Sequence, residues 1–514
     1  MSLNSESSAS VHTTTLPGIG LGNTAGTSAV AGKQSANEFR WQIPEKRILF
    51  GFTGGWLAFF LILLLPTPAG MKPEAMKALA VVAWAVIIWV TEAVPVGLTG
   101  LMIPMLLFVT KALPKLPQAF GGFTAHTTYL CLGAFIFSAM MQLCGLDRRI
   151  SVMCLNLFRV RKVDQLIRAM FLNNFILAVL VPATAARGAT LLPIMKGFLS
   201  VFDDTEGTEH AKAHMVIQCM IYSTLFCGVV VMTAHMPNII MVNLFEKKLG
   251  ISIGYLQWFW LHLPMLFLWI PIFYWTRYYF KTKGVSIPGG LERVRAMRAE
   301  MGSTTRLEWL LLGLFAFTAL TWAVGKQVLH LPLGIITIMM LCVFFIPGLL
   351  PWKWKVIQKN TTWGTFLFLA GAMSLSVAMS NTGLAAYLAN LAKPIAINQH
   401  WMVTLFILMV TTHIIRLGML SNVAAIAFLA PVMLDLAPIY NLNGVPFTLL
   451  ICDVDTFAYL IPTQLTIAVL AHSLGSFKMK DYAIVGLGTM ILAIAFDILI
   501  MAPWYAINGF PLLK

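Results

Sequence analysis

Two polar interruptions in apolar sequence hold the residues best suited to chemistry. The stretch "VPATAARGATLLPI" (181–194) carries Thr184 and Arg187 beside a proline and a glycine. The stretch "SNVAAIAFLAPV" (421–432) opens with Ser421 and Asn422, and Arg416 lies just upstream. A helix restarting at such a break offers free N–H groups and a positive dipole end, which suit an anion. An arginine there adds a two-pronged hydrogen-bond fork for a carboxylate. The carbonyls and hydroxyls of the same breaks are also what a hard cation such as Na+ takes as ligands.

The elements that must position these residues follow from composition. The chain has 514 residues, is 59% hydrophobic and only 11% charged. Soluble domains carry about 25% charged residues. Apolar runs of spanning length recur, such as "ILFGFTGGWLAFFLILLLP" (48–66), with none of the polar stripe that a soluble amphipathic helix shows. An all-α polytopic membrane protein with about eleven transmembrane helices is expected, its spans near 48–66, 77–95, 96–112, 127–146, 212–245, 255–276, 307–324, 332–350, 362–382, 445–472 and 482–504. Residues 1–45, rich in Ser, Thr, Gly and Ala, read as a disordered tail. The seven cysteines show no paired metal spacing and read as small apolar residues. With the N-terminus inside, the net charge of +15 concentrates in inner loops: Lys46/Arg47, Arg148/Arg149, Arg159 to Lys162, Arg277 to Arg306, Lys353 to Lys359 and Lys478/Lys480. That placement explains the charge with no nucleic acid partner. It puts the N-terminus in the cytoplasm and the C-terminus outside.

The chain repeats itself. "GAFIFSAMMQLCGL" (133–146) and "GAMSLSVAMSNTGL" (371–384) share six of fourteen positions at an offset of 238 residues. The same offset lays Pro193 on Pro431 and one interruption over the other. The matched spans are the fourth and the ninth, so the copies are inverted. Inverted repeats with interrupted helices mark secondary transporters that bind substrate near the midplane. The expected division is 46–280 for a first repeat with its preceding span, 281–306 for a basic cytoplasmic loop, and 307–514 for the second repeat. Segments 164–202 and 398–438 each hold two apolar arms too short to cross, so each enters and returns as a re-entrant helical hairpin. Spans 212–245 and 445–472 are broken. Such backbone is tolerated only where it is buried in protein or lines a cavity.

Several motifs resemble those of the divalent anion:sodium symporter (DASS) family. "SNVAAIAFLAPV" is similar to its Ser-Asn-Thr hairpin tip, "WVTEAVPVGLTGLMIPMLL" (89–107) to its early-span signature, and "TAHMPN" (233–238) to its Thr-Gly-Thr-Pro-Pro-Asn loop. The resemblance runs from about residue 45 to the C-terminus. It implies a homodimer in which a scaffold domain holds the dimer. A transport domain carrying both hairpins would move elevator-fashion with a di- or tricarboxylate, or with sulfate. It also implies a substrate site at Thr184, Arg187, His235, Pro237, Asn238, Ser421, Asn422 and Thr463. Na+ ligands would fall at Ala183, Thr184, Ala234, Ser421, Asn422 and Pro462. The chain departs from the motifs at Val423 for Thr, at Ala183, Thr184 and Ala185 for Ser-Asn-Thr, and at His235 for a small polar residue. "IPTQLT" (461–466) keeps Thr463 but lacks Pro-Pro-Asn, and Val179 and Leu417 stand where sodium-coupled members place a hydroxyl. Sodium-independent carboxylate exchangers of the family resemble this chain in carrying an arginine just after the first tip.

The leading expectation is therefore carboxylate exchange in a bacterial inner membrane, with Arg187 compensating charge in place of sodium. Na+-coupled symport and an inorganic oxyanion permease are the alternatives. Arg187 has a structural alternative in the hairpin carbonyls, and Arg416 in the outer interface. Glu92 is expected to cap or pair between scaffold helices. Asp453, Asp455 and Asp497 are intramembrane carboxylates and functional suspects, Asp455 as a proton-coupling group or an arginine partner. Asn173 and Asn174 are expected to bridge the arms of the first hairpin. A channel would need a continuous polar pore. An enzyme or an ATP-driven pump would need a nucleophile, metal or phosphate motif, and the chain has no HExxH, GxSxG or P-loop.

Overall fold

The structure, a computed structural model, describes residues 45–181, 184–202, 208–419 and 421–514. The expected tail, apart from Glu45, and Ala183 lie outside the described residues. Those described fold into helices and connecting turns, with two isolated β-bridges and no strand. Among the described residues ten helices are long and apolar enough to cross a membrane, and eight of them overlap spans drawn from hydropathy. Val96–Val109 and Leu333–Phe344 are shorter, at 14 and 12 residues. They start where expected, each just after a proline, but end early, at Val109 and Phe344. Two hairpin arms, Val163–Leu180 and Asn422–Tyr440, are instead long enough to count. The breaks beside them, not their length, set them apart.

The repeat reappears in the element boundaries. Helices begin at 146 and 384, at 163 and 401, and at 184 and 422, each pair 238 residues apart. The first hairpin is Val163–Leu180 followed by Thr184–Leu199. Gln165 Oε1 accepts from the backbone N–H groups of Arg161 and Lys162, which starts the first arm. Val181, extended at φ −122°, ends it. The residue before a proline is pushed out of helical geometry, and Val181 precedes Pro182. The second hairpin is Trp401–Arg416 followed by Asn422–Leu436, with Ser421 extended at φ −138° between them.

A broken span follows each hairpin. The first is Thr208–Val230, a 3-10 turn Met232–Ala234, then Met236–Leu249. Pro237 sits in the first turn of that last helix, where its missing N–H costs nothing. The second is Gly444–Asp455, a 3-10 turn Pro462–Gln464, then Thr466–His472. The halves are cross-braced. Thr184–Leu199 packs on Thr466–His472, and Asn422–Leu436 packs on Met236–Leu249. Gly188 permits the first of these contacts, because a Cβ there would stand 1.9 Å from Ile467 Cδ1. An ion pair of Lys248 with Asp435 ties the second.

The tightest helix pair outside the hairpins is Val96–Val109 against Trp363–Thr382. A Cβ on Gly371 would stand 2.3 Å from Gly100 O, and one on Gly100 would stand 2.2 Å from Leu367 O. Backbones meeting this closely replace the hydrophobic drive that is missing between helices in lipid. Overpacking costs about 1–3 kcal/mol. Gly371→Val should therefore lower the unfolding temperature in detergent by several degrees. Gly364→Ala, whose Cβ would meet nothing within 4 Å, should leave it unchanged. Thermal unfolding by tryptophan fluorescence measures both.

Candidate functional site

Both hairpin tips and both span breaks meet in one buried cluster. Arg187 lies one turn into the second arm of the first hairpin and is fully buried. Its Nη1 donates to Val181 O at 2.8 Å and to Ala234 O at 3.2 Å, and its Nη2 donates to Thr224 O at 3.0 Å. The first two carbonyls belong to the hairpin tip and the first span break. Thr184 Oγ1 reaches the same Ala234 O at 3.4 Å. Gly228 makes the room, since a Cβ there would stand 3.1 Å from Arg187 Nη2. Among the described residues no carboxylate pairs with Arg187, and its Nε–H has no acceptor. The guanidinium thus closes the backbone of the break and, among the described residues, leaves the Nε–H and one Nη2–H unused.

Arg416, also fully buried, plays the matching part at the second tip. It donates to Met419 O at 3.0 Å, to Gln464 O at 3.3 Å and to Asn422 Oδ1. Its Nε lies 3.3 Å from Asp455 Oδ2, a buried ion pair. Gln464 locks the second break: its Nε2 donates to Arg416 O at 3.2 Å, and its Oε1 accepts from Leu460 N and Ile461 N. The two tips are therefore electrically unequal. Arg416 has a fixed counter-charge and Arg187 has none.

A side-chain bridge joins the two halves. Arg416 takes the Asn422 carbonyl oxygen, so the Asn422 amide nitrogen faces His235 Nε2, at 3.1 Å. That nitrogen donates, so His235 Nε2 accepts and the ring proton sits on Nδ1. Asn238, one turn on, donates to Gly228 O, Val229 O and Val231 O and so holds the rim of the break. Pro237 and Ser421 border the cluster.

Several expectations change here. Thr463 is exposed and outside the cluster; Gln464 beside it is the residue that engages. Arg416 turns inward to Asp455 and does not reach an outer interface. Asn174 does not bridge the hairpin arms. Its amide nitrogen donates to Met170 O in its own arm and to Cys219 O and Ser223 Oγ in the first broken span, while its Oδ1 accepts from Thr224 Oγ1. Asn173, buried beside it, has no partner among the described residues. Glu92, by contrast, does as expected: it ends the helix Pro73–Thr91 and pairs with Arg47 of Lys46–Leu64 at 3.2 Å, away from the cluster. Of the oxygens named for Na+, Ala234 O is taken by Arg187, Asn422 Oδ1 by Arg416, and Pro462 O accepts from Leu465 N.

Removing one partner of a buried ion pair costs about 3–5 kcal/mol, because a bare charge remains. Asp455→Asn should lower the unfolding temperature by well over 5 °C, and Arg416→Met in the same chain should recover most of that loss. A double-mutant cycle by thermal unfolding in detergent reads the coupling directly.

Similarity to known proteins agrees with this architecture. The match to the family described as "Sodium:sulfate symporter transmembrane region" spans residues 55–509. A "Membrane protein" of Cupriavidus necator is 25% identical over 90% of this chain and 93% of its own length. The "Citrate/succinate antiporter" of Escherichia coli K12 is 25% identical, over 86% of this chain and 95% of its own. The "L-tartrate/succinate antiporter" of Escherichia coli UTI89 is 22% identical, over 73% and 81%. In fold, the crystal structure of the YdaH transporter of Alcanivorax borkumensis matches with a TM-score of 0.50 at 14% identity, covering 85% of this chain and 100% of that one. With its broken helices, paired hairpins and membrane-length spans, the chain is an integral membrane protein that belongs to the sodium:sulfate symporter family, the divalent anion:sodium symporters.

Proposed function

We propose that this protein is a secondary transporter that exchanges one di- or tricarboxylate for another without sodium. The observation that carries the reading is Arg187: a fully buried guanidinium, hydrogen-bonded to break carbonyls, with no carboxylate among the described residues to neutralise it. A buried charge left bare is costly in a membrane. A substrate carboxylate supplies the missing counter-charge through the free Nε–H and the guanidinium face. The helices starting at Thr184, Met236 and Asn422 add partial positive ends of about half a charge each, so the site favours a multivalent anion. His235 offers its Nδ1–H to the same anion, and Ser421 and Thr184 offer hydroxyls.

Exchange follows from the same charge. The empty carrier would have to carry Arg187 uncompensated through its crossing, whereas the loaded one carries a neutralised pair. Sodium fits the tips poorly. The arginines already donate to Ala234 O and Asn422 Oδ1, and Val179 and Leu417 offer no side-chain oxygen. The names of two relatives, a citrate/succinate antiporter and an L-tartrate/succinate antiporter, support carboxylates over sulfate. The mechanism we infer is elevator-like: the hairpins and broken spans move as one cross-braced body against the scaffold helices of a homodimer in a bacterial inner membrane, N-terminus inside.

Uptake of labelled succinate, malate, citrate and sulfate into reconstituted vesicles tests this. Carboxylate uptake should require internal carboxylate and be unaffected when Na+ is replaced by choline. Uptake that depends on Na+ and ignores internal substrate would contradict exchange. Arg187→Ala should reduce exchange by about 100-fold or more, the scale expected for a buried charge partner, while the protein elutes as wild type.

A further inference from the structure

A second buried polar cluster lies outside the tips, where the helices Tyr255–His262, Gly444–Asp455 and Met479–Ile507 meet. His262 is fully buried and stacks on Trp258, with ring centroids 4.0 Å apart. Its Nδ1 lies 2.9 Å from Trp258 O, and its Nε2 lies 3.1 Å from Asp453 Oδ2. Tyr505 donates its hydroxyl to the same Asp453 Oδ2 at 3.1 Å. Asp497 completes the group. It is fully buried, and neither of its oxygens has a partner among the described residues. It opens a π-helical turn, Asp497–Met501, a local irregularity often found at functional positions. Tyr505 lies in the electrostatic field of both carboxylates.

Counting protons decides what this cluster holds. Trp258 O can only accept, so His262 Nδ1 carries a proton. Nε2 and Asp453 Oδ2 cannot then face each other as two bare lone pairs at 3.1 Å, so one further proton lies between them. It sits on nitrogen, giving an imidazolium–carboxylate pair, or on oxygen, giving a neutral imidazole and a neutral acid. Among the described residues Asp497 has no donor or contacting cation, and an ionised carboxylate in that setting costs several kcal/mol. It is therefore a second carboxyl suited to hold a proton, on a turn that packs against Gly444–Asp455. Other ionisable groups lie near Asp453. Cys452 is its neighbour on the helix, Arg416 and Asp455 pair with each other, and His413 donates from Nδ1 to Met409 O at 2.7 Å, its buried Nε2 having no partner among the described residues.

We propose that His262, Asp453, Tyr505 and Asp497 form a proton-binding site, distinct from the anion site, that the carrier loads and unloads during transport. Asp453 and Asp455 stand two residues apart at the end of one helix, about 200° around its axis. One faces the proton cluster and the other holds Arg416. The same rigid helix end thus reports to both sites. A proton gained here offsets the extra charge when anions of unequal valence are exchanged. The site stands on its own geometry; only this consequence rests on the exchange reading.

Infrared difference spectroscopy of the purified, reconstituted protein tests the site, with a pH step and no substrate. The wild type should show a protonated-carboxyl band that titrates. Asp497→Asn and Asp453→Asn should each remove part of it, and Tyr505→Phe, which keeps the ring, should move its midpoint by about one pH unit. A band that is absent, or unaltered in all three variants, overturns the proposal. In vesicles holding succinate and a trapped pH dye, added citrate should drive proton movement that Asp497→Asn abolishes while succinate/succinate exchange stays within about twofold of wild type. Unaltered proton movement in Asp497→Asn also overturns it. If the band titrates as expected but no carboxylate exchanges in the wild type, the proton site stands and the exchange reading fails.

Discussion

A helix broken inside a membrane leaves carbonyls and amides that water cannot reach, and everything at this site follows from how they are satisfied. Here two arginines do much of that work. Arg187 gathers the ends of the first hairpin and the first span break, through Val181 O and Ala234 O. Arg416 does the same at the second tip, through Met419 O and Gln464 O. A guanidinium suits this task because its donors are fixed in a plane and its charge persists when buried. Each arginine ties the open backbone of a break into an ordered, buried hydrogen-bond cluster.

The inequality between the tips then gives the site its polarity. Asp455 neutralises Arg416, so the second tip is a structural clasp. Arg187 has no such partner among the described residues, and the proposed anion site is placed at the first tip for that reason. The Asn422–His235 bridge couples the two, and each hairpin packs on the opposite half's broken span, as the proposed common movement requires. Gly188 and Gly228 are what the close approach requires: a side chain at the first would overlap Ile467, and one at the second would crowd the Arg187 guanidinium.

Much of this is legible in the sequence. Hydropathy runs and a 238-residue offset survive in single residues, so the helices, the hairpins and the repeat can be read without coordinates. Arg187, His235 and Asn422 can be named because they interrupt apolar sequence. Partnerships are harder. Asn174 was expected to bridge hairpin arms, yet a residue 49 positions away receives its proton. Thr463 follows the family motif, but the 3-10 turn aims Gln464 into the cluster instead. The contact of His262 with Asp453 spans 191 residues and has no local signature at all. Such pairs depend on how helices rotate about their axes, which packing decides and periodicity in all-apolar helices does not.

The central claim is that the Arg187 charge is completed by the transported anion. A cryo-electron microscopy structure of the protein with bound succinate, in sodium-free lipid, tests it most directly. The account predicts a substrate carboxylate within hydrogen-bond distance of Arg187, with Arg416 still held by Asp455. Succinate bound away from an Arg187 that keeps only its contacts to Val181, Ala234 and Thr224 would contradict it.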